Sequence, residues 1–528
     1  MTAGPGQPPK DAATLHDLLD SSVRRDGAKA VFVSRDATTS YAELDGCASS
    51  FAATLRELGV KRGDSVAIAL DGDVDYLIAY YGALMAGGVA VPLCADTRRE
   101  PLVQALRQAD ARVVVLDGPS VRLLDGQGDA LPELRAVVAR DGAGTPHPGP
   151  WAQVPYRQAV ANPTRWRDRQ VTADDLASIV YTSGTTGQPK GVMLSHRNLV
   201  ANVRSIVEYL ALSSEDVAGM VLPFYYAYGN SVLHTHIAAG ATIAHLGPMT
   251  FLADVVEGLA RHRCTGLSGV PATFSRLLSF RSLAKYDLSS LRYLTQAGAA
   301  MSPALIEGVR ATFPAVRLFV MYGQTEAAAR LAYVPPERLA DKPGSAGKAI
   351  PGVTLKICDD AGDELPRGQV GEVVALGDNI MRGYRRDTEA TARVLRPEGL
   401  RTGDVGFMDE DGYLFLSGRR SELIKSGGHR ISPFEVEAAV ARAAGVVDVA
   451  VSGVPDDVLG ETIAAFIVAG GETPVTRRAV LDACFACLPR FKMPAHLFVV
   501  TSLPRAPSGK LLRRELQAWY ASGHGTPL

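Results

Sequence analysis

The sequence predicts an α/β protein with a large N-terminal region and a small α+β region at its C-terminus. Three observations lead there. The 528 residues exceed what one hydrophobic core normally serves. Apolar strand-like runs, such as residues 66–70, 113–116, 242–245 and 318–321, alternate with helix-like stretches through most of the chain. That pattern breaks after Gly418, where the polar run Arg419-Arg420-Ser421-Glu422 precedes a new helix start.

From the N-terminus, the first residues are rich in Gly and Pro and lack the basic start and apolar core of a signal peptide, so they read as a disordered tail. Residues 76–95 carry no charge over a bilayer-spanning length. Gly87-Gly88 and Pro92 interrupt them, which predicts a helix over 76–86, a glycine cap and a strand over 89–93 in place of a membrane span. Residues 141–167, rich in Pro, Gly and Arg, read as a surface excursion. Net charge is −1 with no long basic run, which excludes the electrostatic footprint of a nucleic-acid binder. Of six cysteines only Cys484 and Cys487 form C-x-x-C, and no second ligand pair completes a zinc site. Leu481, Phe485 and Leu488 around them suggest an apolar helix face with core cysteines. No disulfide framework is implied, which fits a reducing, cytoplasmic location. His234 and His236 would share one face of a strand, without a partner acid.

The most informative stretch is Tyr181-Thr182-Ser183-Gly184-Thr185-Thr186-Gly187-Gln188-Pro189-Lys190-Gly191-Val192. Glycines let backbone N–H groups approach phosphate oxygens, hydroxyls donate further bonds, and Lys190 adds charge. The apolar run 176–181 reads as a buried strand leading into this loop. Ser195 is placed to cap a following helix whose apolar positions Leu199, Val203, Ile206, Val207 and Leu210 share a face. The lysine spacing fails the P-loop pattern, because Gln188 and Pro189 separate Gly187 from Lys190. A flexible Ser/Gly surface loop is the competing reading.

Further along, Gln296-Ala297-Gly298-Ala299-Ala300 is a run of small residues that permits close ligand approach or close packing. In Met321-Tyr322-Gly323-Gln324-Thr325-Glu326, Tyr322 offers a flat face for a purine, Thr325 a hydroxyl for phosphate, and Glu326 a hard oxygen ligand for Mg²⁺. Alone, these would read as a core tyrosine and a solvated carboxylate. Arg401-Thr402-Gly403-Asp404 supplies a carboxylate able to accept both hydroxyls of a ribose. Asp411-Gly412 between Phe407 and Phe415 is a hairpin signal. In Ile431-Ser432-Pro433-Phe434-Glu435, Ser432 caps a helix, Pro433 suits its first turn and Glu435 completes a capping box.

Together, and in this order, these segments resemble the adenylate-forming superfamily: acyl-CoA synthetases, nonribosomal-peptide adenylation domains and luciferases. The resemblance implies a large multi-subdomain N-terminal domain with mixed β-sheets flanked by helices, plus a small mobile α+β lid. It divides the chain into a tail (1–12), an adenylation core (13–418), a hinge (419–422) and a C-terminal mobile domain (423–528). It implies ATP-dependent activation of a small carboxylic acid to acyl-AMP with Mg²⁺, then transfer to a thiol. The acceptor is CoA or, alternatively, the phosphopantetheine of a separate carrier protein; a luciferase-like oxygenase is the alternative of another class.

Carried over residue by residue, the resemblance makes Lys510, in Leu503-Pro504-Arg505-Ala506-Pro507-Ser508-Gly509-Lys510, the catalytic lysine, with Thr325 and Glu326 beside it and Glu326 on the metal. ATP would be held by Thr182, Ser183, Gly184, Thr185, Thr186, Gly187, Lys190, Gln296, Ala297, Gly298, Ala299, Tyr322, Gly323, Asp404 and Arg419. Gly427 and Gly428, within Lys425-Ser426-Gly427-Gly428-His429-Arg430-Ile431, leave room for the thiol arm. Ser421 stands at the hinge, where the family usually has Asp or Lys. The acid pocket would take Tyr226, Asn230, Ala300 and Arg330, the last of which either pairs a second carboxylate or faces solvent. Tyr226 stands where many acyl- and aryl-CoA ligases have His, and Ala227 where α-amino-acid activators place an Asp. No acid lies between Gly219 and Ala253, and a buried ammonium without a counter-charge is costly, so α-amino acids are disfavoured.

Overall fold

The computed structural model describes residues 11–140, 149–182, 189–420, 422–470, 474–505 and 511–528. Three sheets are present among them, of 14, 8 and 6 strands.

The largest sheet has a parallel half and an antiparallel half. The parallel half runs Ala30–Val33, Thr242–His245, Val217–Met220, Gly266–Gly269, Tyr293–Gln296 and Arg317–Tyr322. These short runs are apolar or small because helices cover them, as parallel sheets require. The antiparallel half continues through Ala332–Val334, Ser345–Ala349, Leu414–Arg419, Gly399–Met408, Gly371–Gly377 and Val353–Cys358. Phe407 stands opposite Phe415 across the Gly412 turn, as the hairpin signal predicts.

The second sheet orders Gly383–Tyr384, Lys190–Ser195, Leu176–Thr182, Val89–Pro92, Ser65–Ala69, Ala111–Asp117, Ala136–Arg140 and Ala152–Pro155. The helices Leu15–Asp26, Tyr41–Glu57, Val74–Met85, His196–Leu210 and Ala227–Ala239 contribute to one core shared with both sheets. Ser195 caps His196–Leu210 through a full capping box with Asn198, an arrangement worth about 1 kcal/mol.

The third sheet, from Ile424–Ser426 onward, has its own core of Ile424, Ile431, Val436, Ile463, Val480 and Leu497. Sheet membership therefore changes between Arg419 and Ile424. The helix Pro433–Val440 abuts the end of the large sheet, where Ser432 Oγ donates to the Ser417 carbonyl.

Several local expectations need correction. Val74–Met85 is a helix and Val89–Pro92 a strand, as read, but His234 and His236 lie on the helix Ala227–Ala239, not on a strand. That helix is apolar or small nearly all round, so it lacks the 3.6-residue stripe that would have revealed it. Residues beyond 148 in the presumed excursion form an edge strand and a short helix, with Trp151 and Tyr156 buried. The Glu435 carboxylate pairs with Lys492 and does not close a capping box. Cys484 is buried, but Cys487 and Phe485 are exposed. Ala12, assigned to the tail, is buried.

Candidate active site

The strands Leu176–Thr182 and Lys190–Ser195 pair antiparallel. Thr182 ends one strand and Lys190, directly opposite, begins the next. The strand Lys190–Ser195 thus stands between the loop and the Ser195-capped helix, where the sequence suggested a direct strand-to-helix passage. Residues 183–188, which include Ser183, Gly184, Thr185, Thr186 and Gly187, lie outside the described residues, as do Ser421 and Lys510.

Lys190 Nζ sits 4.8 Å from the ring centre of Tyr384. The hydroxyl of that tyrosine donates to Glu326 Oε1 at 2.8 Å. Tyr384 belongs to a two-residue strand paired with Val192 and Met193. Burial first, then the Glu326 charge, push its phenol well above the ordinary range. Tyr384 went unread in the sequence: its partner strand is remote in the chain and too short to give a periodic signal.

Glu326 and Thr325 lie on the turn Thr325–Ala327, just past the strand Arg317–Tyr322. On that strand's last residue, the Tyr322 hydroxyl donates to Asp404 Oδ2 at 2.6 Å. Asp404 is also paired with Arg419, whose Nε lies 2.9 Å from Oδ1. The two residues are register partners on adjacent strands. Asp404 is buried, and its own N–H is held by Thr402 Oγ1. Burial and then the Asp404 charge raise the Tyr322 phenol. Burial alone would lower Arg419, but Asp404, Tyr322 and Glu326 outweigh it and raise it.

Gln296 ends the neighbouring parallel strand, in register with Val320. Its Nε2 donates to the Ala299 carbonyl at 2.6 Å, while its buried Oε1 has no partner among the described residues. Ala297 is buried; Gly298, at φ 93°, and Ala300 are exposed, with Ala299 half-buried between them. Thus Gln296, Tyr322, Glu326 and Asp404 gather at the C-terminal ends of the parallel strands, where open α/β sheets place ligands. Gly323 is pressed against the backbone: an added Cβ would meet the Ala329 carbonyl oxygen at 2.1 Å.

On the acid side, Tyr226 is half-buried at the N-terminus of the helix Ala227–Ala239, its ring 4.3 Å from that of Tyr225. Asn230 is buried, and its amide nitrogen is engaged within the fold. Its Nδ2 donates to the Tyr76 hydroxyl at 3.1 Å and to the Phe224 carbonyl at 3.3 Å. Arg330 is buried and not solvent-facing. The nearby Tyr228, whose hydroxyl bonds Thr295, lies face-on to Arg330.

Gly427 and Gly428 form the two-residue turn of the hairpin joining Ser426 to His429. Both have positive φ, 55° and 83°, the pattern that favours glycine in such turns. Both are exposed.

With this geometry, the comparisons with known proteins agree. The chain belongs to the AMP-binding enzyme family, the adenylate-forming superfamily that its motifs resemble: that family's model matches residues 19–385, and the model of the AMP-binding enzyme C-terminal domain matches 435–510. Over 499 residues it is 32% identical to 4-coumarate–CoA ligase 2 of Solanum tuberosum, covering 92% of this chain and 90% of that one. A crystal structure of an anthranilate CoA ligase in complex with anthranoyl-AMP superposes with a TM-score of 0.87 at 25% identity, covering 97% and 98% of the two chains. ATP-bound MatB from Rhodopseudomonas palustris superposes with a TM-score of 0.86 at 30% identity, covering 97% and 100%.

Proposed function

We propose that this enzyme activates a carboxylic acid with ATP, releasing pyrophosphate, and then passes the acyl group from AMP to the thiol of CoA. The observation that carries the reading is the Tyr322–Asp404–Arg419 cluster beside Glu326. Tyr322 and Arg419 fix the orientation of the Asp404 carboxylate at the strand ends, where a carboxylate suits the hydroxyls of a ribose. Tyr322 would lie against the purine, beside the small residues Gln296, Ala297, Gly298 and Ala299. The triphosphate would be held by the segment between Thr182 and Lys190.

In the first step the acid's carboxylate oxygen attacks the α-phosphorus, and the bond to the β-phosphate oxygen breaks. Two anions meet, so positive charge placed at the site lowers the barrier. Lys510 is assigned that task from the family resemblance. Magnesium fits Glu326: one carboxylate oxygen is held by Tyr384, and a single carboxylate together with phosphate oxygens is a common set for this ion. When bound, it neutralises the leaving pyrophosphate. Thr325 would donate to phosphate.

The division into a core (13–418), a hinge at Ser421 within 419–422 and a mobile domain (423–528) belongs to the same proposal. The change of sheet between Arg419 and Ile424 supports it. The exposed Gly427-Gly428 turn suits a pantetheine arm. CoA is favoured over a carrier protein because both 4-coumarate–CoA ligase and anthranilate CoA ligase are named for it. Their named acids are aromatic, which supports a small or medium-sized aromatic or polar acid here and not an α-amino acid. All six cysteines are free thiols, which fits the cytosol. Among the described residues no helix is long and apolar enough to cross a membrane.

The test is pyrophosphate release across a panel of carboxylic acids, each with and without CoA, with the thioester identified by mass. A panel in which no acid releases pyrophosphate overturns the reading. Release followed by oxygen uptake without thioester would favour an oxygenase.

A further inference from the structure

Arg330 is a buried charge that the proposed chemistry does not use. Its side chain is almost wholly enclosed, at 2% exposure. A guanidinium cannot shed its charge in a protein, so enclosure calls for a compensating anion. None is present: among the described residues no aspartate or glutamate forms an ion pair with it, and its neighbours are neutral. Nη1 donates to the Ala329 carbonyl at 3.2 Å, Nη2 reaches Ser231 Oγ at a weak 3.4 Å, and the ring centre of Tyr228 lies 4.5 Å away. Nε is buried without any partner.

The backbone holds this arrangement at a cost. Ala328 and Ala329, just before Arg330, both have positive φ, 51° and 96°, where alanine is strained. Such strain persists where the surroundings fix it, and it clusters at ligand sites. The guanidinium is wedged behind Tyr228, whose hydroxyl is fixed to Thr295 next to Gln296. It thus touches the Tyr226–Ser231 segment directly and is linked to the strand end before Gln296 through Tyr228 and Thr295.

We propose that the acid activated by this enzyme carries a second anionic group, a carboxylate in the simplest case, and that Arg330 pairs with it. This rests on the reading that the Tyr226–Ser231 and Gln296–Ala300 segments wall the acid site. A bidentate carboxylate would satisfy the idle Nε and an Nη donor together. The same charge would repel an ammonium, which agrees with the missing acid between Gly219 and Ala253.

The experiment compares dicarboxylic acids with their own monomethyl esters in the pyrophosphate assay: terephthalate, 4-carboxycinnamate and adipate against the three esters. The wild type should prefer at least one diacid over its ester by about 30-fold or more in kcat/KM, the range expected for a buried charge pair. Arg330→Met should collapse that ratio, and Arg330→Lys should restore part of it. Melting temperature gives a second readout. Without ligand, Arg330→Met should melt higher than wild type, because it removes an uncompensated buried charge, and it should lose any rise that the diacid gives the wild type. Activation of monoacids with no preference for any diacid would overturn this inference and leave the ligase reading intact. So would an equal loss on diacid and ester in Arg330→Met, which would place Arg330 on the reacting carboxylate. No activation of any acid would instead strike the ligase reading itself.

Discussion

The nucleotide side and the acid side of this site handle buried charge in opposite ways. On the nucleotide side, Asp404 is matched by Arg419 and Tyr322, and Glu326 holds Tyr384. These charges have partners before any ligand arrives. On the acid side, Arg330 has only weak and neutral neighbours. A matched cluster can be kept across many substrates, because nothing in it depends on the acid. An unmatched charge is costly until its ligand binds, so that is where selectivity is written.

Four experiments break or sharpen this contrast, beginning with the largest effect. Lys510→Ala should lower acyl-AMP formation by about 100-fold or more, as loss of a group that stabilises transition-state charge does. Thioester formation from pre-made acyl-AMP should be largely kept; near-normal pyrophosphate release would remove the lysine from the mechanism. Asp404→Ala should cut kcat/KM for ATP by about 30-fold or more, since it removes the ribose contact and strands Arg419. It should also lower the melting temperature, the reverse of the shift expected for Arg330→Met. If the two variants shift in the same direction, the contrast between matched and unmatched charge is wrong.

The third experiment uses a buried group that stays uncharged. His234, with Nδ1 2.9 Å from the Tyr81 hydroxyl, is held down to about 3 by burial. Its folded value lies below the unfolded one, near 6.5. The stability it confers is therefore complete above 6.5 and is lost as pH falls from 6.5 toward 3. Each pH unit in that window should cost about 1.4 kcal/mol for this one group. Urea midpoints measured from pH 7 to pH 4 should fall less steeply in His234→Gln. The smallest effect is expected of Tyr384→Phe, which removes one hydrogen bond from Glu326. An effect of about 1 kcal/mol, or roughly fivefold in the ATP requirement, is expected, and it should grow at limiting magnesium. Titrating magnesium in both enzymes measures it.

Local chemistry was legible in the sequence wherever one residue type decides a backbone geometry. Ser195 and Ser432 as caps and the Gly412 turn fall in this group. So does the run Thr242–His245, a strand over its whole predicted length. What stayed hidden depended on partners far along the chain. The strand Lys190–Ser195 is hidden because Pro189 and Gly191 dominate its start, and its pairing to Gly383–Tyr384 leaves no trace nearby. His234 and His236 were given a strand period, although the helix that carries them buries every side and so has no stripe. The bond from the Asn230 amide nitrogen to Tyr76, remote in the chain, is equally invisible in the sequence. Arg330 was equally compatible with solvent or ligand until its enclosure was known, since burial is a property of the whole fold.

The pairing of the first strand bears on how the chain is made. Ala30–Val33 lies parallel to Thr242–His245, with Phe32 opposite Ile243, and Ser22 Oγ donates to the Ile237 carbonyl. Neither contact can form until the ribosome has passed those distant residues. At typical elongation rates of about 5–20 residues per second, the segment Leu15–Asp26 waits roughly 10–40 s for its partner Ala227–Ala239, with only nearer helices such as Tyr41–Glu57 available before then. Part of the N-terminal helix's packing is thus completed late in synthesis, which gives nascent-chain chaperones a defined interval in which to act.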